Sequence, residues 1–138
     1  MVNGGAFHMC GGSITGNNSQ YNFGDYGGGG VYVDSTATIT LSGNVQIKDN
    51  YKGSNSNKNL SNIYLTNNKT ITVAGPLTGS SIGVTTATEP GTGSNVTFAV
   101  GSENAIMTGI FTPDTAGVLV GVAADGTSAY LYKCSHVY

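Results

Sequence analysis

Residues 30–43, GVYVDSTATITLSG, and residues 62–75, NIYLTNNKTITVAG, align without a gap at an offset of 32 residues. Tyr32 falls on Tyr64, Thr38 on Thr70, Ile39 on Ile71, Thr40 on Thr72 and Gly43 on Gly75. Val31, Val33 and Leu41 fall on Ile63, Leu65 and Val73. The same offset applied backwards sets Phe7 on Ile39, Met9 on Leu41 and Gly11 on Gly43. Copies at one spacing mark a repeat architecture, in which each unit buries its apolar face only against its neighbours.

Within each copy the apolar residues alternate with polar ones, and Gly or Asn sits at the bends; that is strand patterning, with no helical periodicity anywhere. In the first copy Phe7 and Met9 point in, His8 points out, Gly11 and Gly12 make a corner, and a strand centred on Ile14 follows. In the second, Ile39 and Leu41 point in, Gly43 and Asn44 turn, and Val45 and Ile47 point in. Thr15-Gly16-Asn17 and Lys48-Asp49-Asn50 close these strands alike, after one extra residue at the corner. Each coil thus reads as three strands: VYV, TITL and VQI, then IYL, TITV and IGV. Parallel stacking at ~4.8 Å gives an all-β parallel β-helix with about three coils and columns Phe7/Ile39/Ile71, Met9/Leu41/Val73, Val31/Ile63 and Val33/Leu65. Residues 19–30 and 51–62 read as loops leaving the same side of the stack, where solenoid insertions often bind.

After residues 87–94 the register is lost. Residues 96–100, 109–112, 117–124 and 128–133 read as strands, with Asp125-Gly126 as a hairpin turn between the last two. An antiparallel β cap over the last coil follows from this pattern, since it seals an open edge. Residues 1–94 are therefore the coils and 95–138 the terminal coil or antiparallel cap of the same domain. The chain opens as MVNGGAFHMCGG, which falls inside the repeat and does not read as a signal peptide. That reads as a piece of a longer protein with Met1 an added start, and it predicts self-association through the uncovered N-terminal coil, or a frayed first coil. Cys10 and Cys134 lie in the first and last strands, ~14 Å apart at three steps of the stack, beyond the ~7 Å Cα reach of a disulfide, so two free thiols are expected unless the tail folds back.

Charged residues are 9% of the 138, there are five Lys and no Arg, and net charge is −2. Such a chain cannot neutralise a phosphate backbone, which excludes nucleic acid, and no run is long enough to span a membrane. The carboxylates are Asp25, Asp34, Asp49, Glu89, Glu103, Asp114 and Asp125. No two share a column of the repeat, so no paired acid and base is visible, and no catalytic residue, metal site or cofactor is assigned. Asp49 reads as a turn carboxylate bonding local backbone N–H groups. His8 reads as an exposed strand residue and His136 as part of a terminal tail. Thr38, Thr40, Thr70 and Thr72 form an outward two-by-two array, too short for ice-like matching and best read as β-branched neighbours. The Gly27–Gly30 run lacks the helix and Lys-Ser/Thr of a phosphate loop. Tyr32 and Tyr64 read as an outward stack beside loops carrying Tyr21, Phe23, Tyr26 and Tyr51. Exposed aromatics flanked by Asn and Asp hold sugar rings by stacking and amide hydrogen bonds, so these six are the candidate ligand-binding residues; the competing reading is a tyrosine ladder that only shields the sheet.

FHMCGGSITGN, GGGGVYV, ITLSGNVQIKDN, NIYLTNNKTITVAGPL and the VTFAV strand resemble the Gly/Asn-rich β-helix repeats of secreted and surface proteins of gut Firmicutes and their relatives, within the pectate-lyase-like β-solenoid superfamily. Those repeats carry F-x-M-x-G-G-x-I-x-G-N and G-G-G-V-Y-V units, and the resemblance covers about residues 5–100. It implies a right-handed parallel β-helix and an extracellular or bacterial cell-surface location, and no particular activity, since this fold hosts lyases, hydrolases, adhesins and passive stalks. The functional expectation is a non-enzymatic structural or adhesive segment that meets glycans or host surface ligands. The alternatives are a carbohydrate-binding module using the tyrosine and loop face, or a fragment of a polysaccharide-degrading β-helix enzyme.

Overall fold

A computed structural model of the protein describes residues 4–19, 29–54 and 56–134. Among them there is no helix. The first coil carries β1 (Ala6–Met9), β2 (Gly12–Thr15), β3 (Asn18–Ser19) and β4 (Val31–Val33). The second carries β5 (Thr38–Leu41), β6 (Val45–Lys48), β7 (Tyr51–Ser54), β8 (Asn57–Leu60) and β9 (Ile63–Leu65). The third carries β10 (Ile71–Val73) and β11 (Ser81–Thr86), and β12 (Val96–Gly101), β13 (Phe111–Pro113), β14 (Leu119–Val122) and β15 (Ser128–Tyr132) close the chain.

The expected columns form. β1, β5 and β10 pair in parallel with Phe7 on Ile39 on Ile71 and Met9 on Leu41 on Val73. β4 and β9 pair in parallel with Val31 on Ile63 and Val33 on Leu65. β2 lies on β6 with Ile14 on Ile47 and Thr15 on Lys48, which accommodates the one extra corner residue. Gly43 takes φ 75° at that corner, a conformation that favours glycine. The molecule is therefore a parallel β-solenoid. Its core is the inward set of these columns: Ile39, Leu41, Ile47, Ile63, Leu65, Ile71, Ile82 and Val84 are all buried. Each such side chain contributes about 1.5–3 kcal/mol by leaving water. Phe7, Met9 and Ile14 point the same way but are only half-buried, because among the described residues no coil lies beyond them.

One expectation needs correction, and one open alternative is decided. Residues 51–62 are not a loop: β7 and β8 form an antiparallel hairpin with Tyr51 opposite Leu60 and Lys52 opposite Asn59. Of the two alternatives for residues 95–138, a terminal coil and an antiparallel cap, the chain forms both. β12 continues the first column in parallel, Ala99 on Ile71, and β13 lies parallel on β11, Phe111 on Ile82. Only the 32-residue spacing is lost there, because the third turn is shorter. It is shorter because β11 is one strand doing the work of two: Ile82 continues the β6 column and Val84 the β9 column. The second coil leaves between those two columns to make its hairpin; the third passes straight through. The antiparallel cap does form, but from β15 on β12 and β14 on β15 alone. Phe98 and Phe111 meet edge-to-face at 5.1 Å beneath it. The cap turns at Asp125-Gly126 as the dipeptide predicted, with Gly126 at φ 70°.

At the corner where the insertions leave, a line of amides joins the coils. The Asn17 backbone N–H and side-chain amide both donate to Asn50 Oδ1, at 3.1 and 3.0 Å. The same two groups of Asn50 donate to Asn62 Oδ1, each at 3.0 Å. Those of Asn62 donate to the Asp114 carboxylate, at 2.8 and 2.7 Å. Asn50 is 0% and Asn62 3% exposed, so these bonds satisfy polar groups that water does not reach. The line ends in a carboxylate, which accepts and cannot donate; its last rung is the shortest, as charge assistance requires. A Cβ on Gly83 would strike the Asn62 amide and the Asp114 carboxylate, and one on Gly30 would strike Asn50 and the Asn62 carbonyl.

Asn62→Ala strands the buried Asn50 backbone N–H and Asp114 Oδ1, while the Asn50 side-chain amide keeps the Ile14 and Lys48 carbonyls. We expect it to lower the unfolding free energy by roughly 3 kcal/mol or more in urea titration. Gly83→Ala should cost a similar amount through the clash, and Asn57→Ala, on an exposed hairpin position, less than about 0.5 kcal/mol. Equal losses for Asn62→Ala and Asn57→Ala would show that the amide line carries no stability.

Two turn carboxylates are tuned. The Thr36 hydroxyl and amide both donate to Asp34 Oδ1 at 2.8 Å, and those of Thr127 donate to Asp125 Oδ1 at 2.7 and 3.1 Å. The threonine hydroxyl first, then the amide, holds each carboxyl below the ordinary 3.8. A depressed folded pKa stabilises the fold fully above the unfolded value and loses that contribution as pH falls through the folded one. These turns thus weaken only on the acid side of 3.8 and are indifferent to pH near neutrality. In a carboxyl NMR titration, Thr36→Val should return Asp34 towards 3.8 and leave Asp125 unmoved.

Candidate functional site

The hairpin β7–β8 stands off the solenoid at its amide corner, and its neck is tied there. Tyr51 N–H donates to the Asn17 carbonyl at 2.9 Å and Ser61 N–H to the Asn50 carbonyl at 2.9 Å. Gly29 and Val31 N–H groups, returning from the first coil's insertion, bond the Ser61 and Asn62 carbonyls at 2.9 and 2.8 Å. β3 pairs in parallel with β7, so the two insertions leave side by side, as their positions in the repeat predicted.

The tyrosine face differs from the expected open platform. Tyr32 and Tyr64 do stack, with ring centroids 5.4 Å apart and planes 7° from parallel. Yet Tyr64 is only 6% exposed. Tyr32 lies beside it in one neighbouring strand and Thr85 in the other. The Lys52 ammonium stands 5.7 Å from its ring centre. Tyr51 belongs to a strand rather than a loop, is half-buried, and carries the Lys58 ammonium 4.6 Å over its ring. Both rings thus have cationic neighbours in place of empty stacking faces. Tyr64 is a shielding residue of the ladder, and Tyr32 and Tyr51 keep partial access. Tyr21, Phe23 and Tyr26 lie outside the described residues, as do Asp25 and His136.

What the structure assembles instead is a cleft of about 470 Å³ between the hairpin and the turn after β13. Tyr51, Lys52, Lys58 and Asn59 line it from the hairpin, and Thr85, Glu89 and Asp114 from the solenoid wall. Leu60, 41% exposed, forms its apolar lip. The two carboxylates are differently placed. Both Asp114 oxygens are engaged: Oδ1 by the Asn62 side chain, Oδ2 by the Asn62 N–H and by the Thr85 hydroxyl at 2.9 Å. Glu89 reaches Lys133 at 3.7 Å in a solvent-exposed pair.

Column-by-column comparison of the carboxylates missed this pair, because both residues lie after the last repeat. The two lysines were missed because YKGSNSNKNL has no apolar alternation to announce a hairpin. Elsewhere, His8 is exposed, in register with Thr40 and Thr72 as read. Val100 follows Thr72, so the Thr40–Thr72 pair lies between non-threonine neighbours. Asp49 takes φ 57°, a left-handed turn position. Cys10 and Cys134 are exposed and unpaired. Among the described residues no group of three His, Cys, Asp or Glu side chains could hold a metal ion.

Compared with protein-family models, curated proteins and solved structures, the chain matches none of them.

Proposed function

We propose that this chain is a non-enzymatic, adhesive β-solenoid segment of a secreted or bacterial surface protein, and that it holds a carbohydrate in the cleft beside the β7–β8 hairpin. The observation that carries the reading is the cleft itself. It has the volume of a small-ligand site, and it combines a tyrosine edge, an amide at Asn59, hydroxyl and ammonium donors and one apolar lip. It also lies where both insertions of the solenoid emerge, on a wall held rigid by the amide line. The resemblance of the repeats to surface proteins supports the location.

A polysaccharide-degrading enzyme would need a free acid and base here, and Glu89 and Asp114 are the residues it would have to use. Against that reading, Asp114 spends both oxygens on three donors of its own chain. A proton-accepting role would require breaking those bonds.

The test is isothermal titration of the purified chain against a panel of oligosaccharides, with the double variant Asn59→Ala, Leu60→Ser beside it. Both positions are exposed, so the melting temperature should hold. We expect affinity for the bound sugar to fall by about tenfold. Undiminished binding by the variant would move the contact away from this cleft.

A further inference from the structure

The charges lining the cleft are equal in number but not equally engaged, and the difference says what kind of sugar it accepts. Four charged side chains line it: Lys52, Lys58, Glu89 and Asp114. Asp114 is bonded by three donors and has its charge dispersed into the amide line. Glu89 has Lys133 beside it at 3.7 Å. Lys52 and Lys58 have no carboxylate within ion-pair distance among the described residues; each stands over a tyrosine ring instead. A ring face attracts an ammonium group but leaves its N–H donors open to a further acceptor. Among the described residues, Lys52 and Lys58 are thus the charged residues lining the cleft that have no oppositely charged partner. The hairpin register sets them on opposite strands: Lys52 faces Asn59, and Lys58 faces Gly53. Gly53 carries no side chain, so nothing in that pair competes for the Lys58 head group.

From this we infer that the cleft binds an acidic carbohydrate, one bearing a uronate carboxylate or a sulfate ester, and that Lys52 and Lys58 receive the anionic group. The inference rests on the cleft being a carbohydrate site. Asn59 and Thr85 then serve the hydroxyls, and Glu89 limits affinity by repelling the same anion.

The experiment compares three forms of one β-linked backbone: cellotetraose, the cellouronate tetrasaccharide and cellotetraose sulfate. Each is titrated into the intact chain and into Lys52→Gln, Lys58→Gln and Glu89→Gln variants, with circular dichroism to verify folding. At least one acidic form should bind about tenfold or more tighter than cellotetraose. That margin should vanish in either lysine variant and shrink as ionic strength rises from about 0.05 to about 0.5 M. Glu89→Gln should tighten acidic binding severalfold. The uronate and sulfate arms separate the two sources of the anion. Cellotetraose binding as tightly as both acidic forms, unaffected by the lysine variants, overturns this inference while keeping the cleft as a carbohydrate site. No binding by any form overturns the inference and that site reading together.

Discussion

The line of amides from Asn17 through Asn50 and Asn62 to Asp114 is the constraint on which the rest of this structure depends. A solenoid that sends an insertion out of one coil must break its ladder at that point, exposing backbone donors in the core wall. Here the gap is bridged by side chains that reproduce the ladder's logic: Asn50 Oδ1 takes two donors from the coil before, and Asn62 Oδ1 takes two from Asn50 across the root of the hairpin. Hydrogen bonds in such a chain polarise one another, and the terminal carboxylate anchors the direction. Coils one and two use asparagine at this corner. The third coil, with no insertion, uses Gly83, which leaves room for its neighbours' polar groups.

That arrangement explains where the cleft is. The hairpin leaves between Asn50 and Asn62, and its neck is held by bonds to both. Asp114 arrives from the chain's closing segment to finish the same line. The wall of the cleft and the root of its hairpin are therefore parts of one bonded unit, and a ligand bound between them meets little freedom to lose. Rigidity of this kind lowers the entropic cost of binding.

Charge is distributed to match. The strands of the sheet that runs from β1 through β5, β10 and β12 to β15 and β14 contain no Asp, Glu, Lys or Arg. With only 9% charged residues, the chain relies on backbone pairing and on Asn, Ser and Thr to satisfy its surface. Against that neutral background, two lysines, an aspartate and a glutamate around one cleft are a concentration of charge rather than a sample of the average surface.

The sequence by itself determined the solenoid. Alternation and a 32-residue offset specify which of Phe7, Ile39 and Ile71 share a column, because an inward apolar residue in one coil can be covered only by its equivalents in the next. The corner glycines, the Asp125-Gly126 turn and the paired exit of the insertions were legible for the same reason: each is a local backbone requirement written in residue type. The tertiary structure alone decided the rest. It buried Tyr64 under its neighbours, made a hairpin of a polar segment with no strand pattern, and ran β11 through two columns at once. It also brought Asp114 to Asn62 across 52 residues and set Glu89 opposite Lys52 and Lys58. None of these obeys the repeat. The hairpin and the straight run of β11 follow from what each coil does at the insertion corner, and the Asp114 contact arises where the closing segment folds back on the coils; contacts between segments without a common period leave no mark on the sequence of either one.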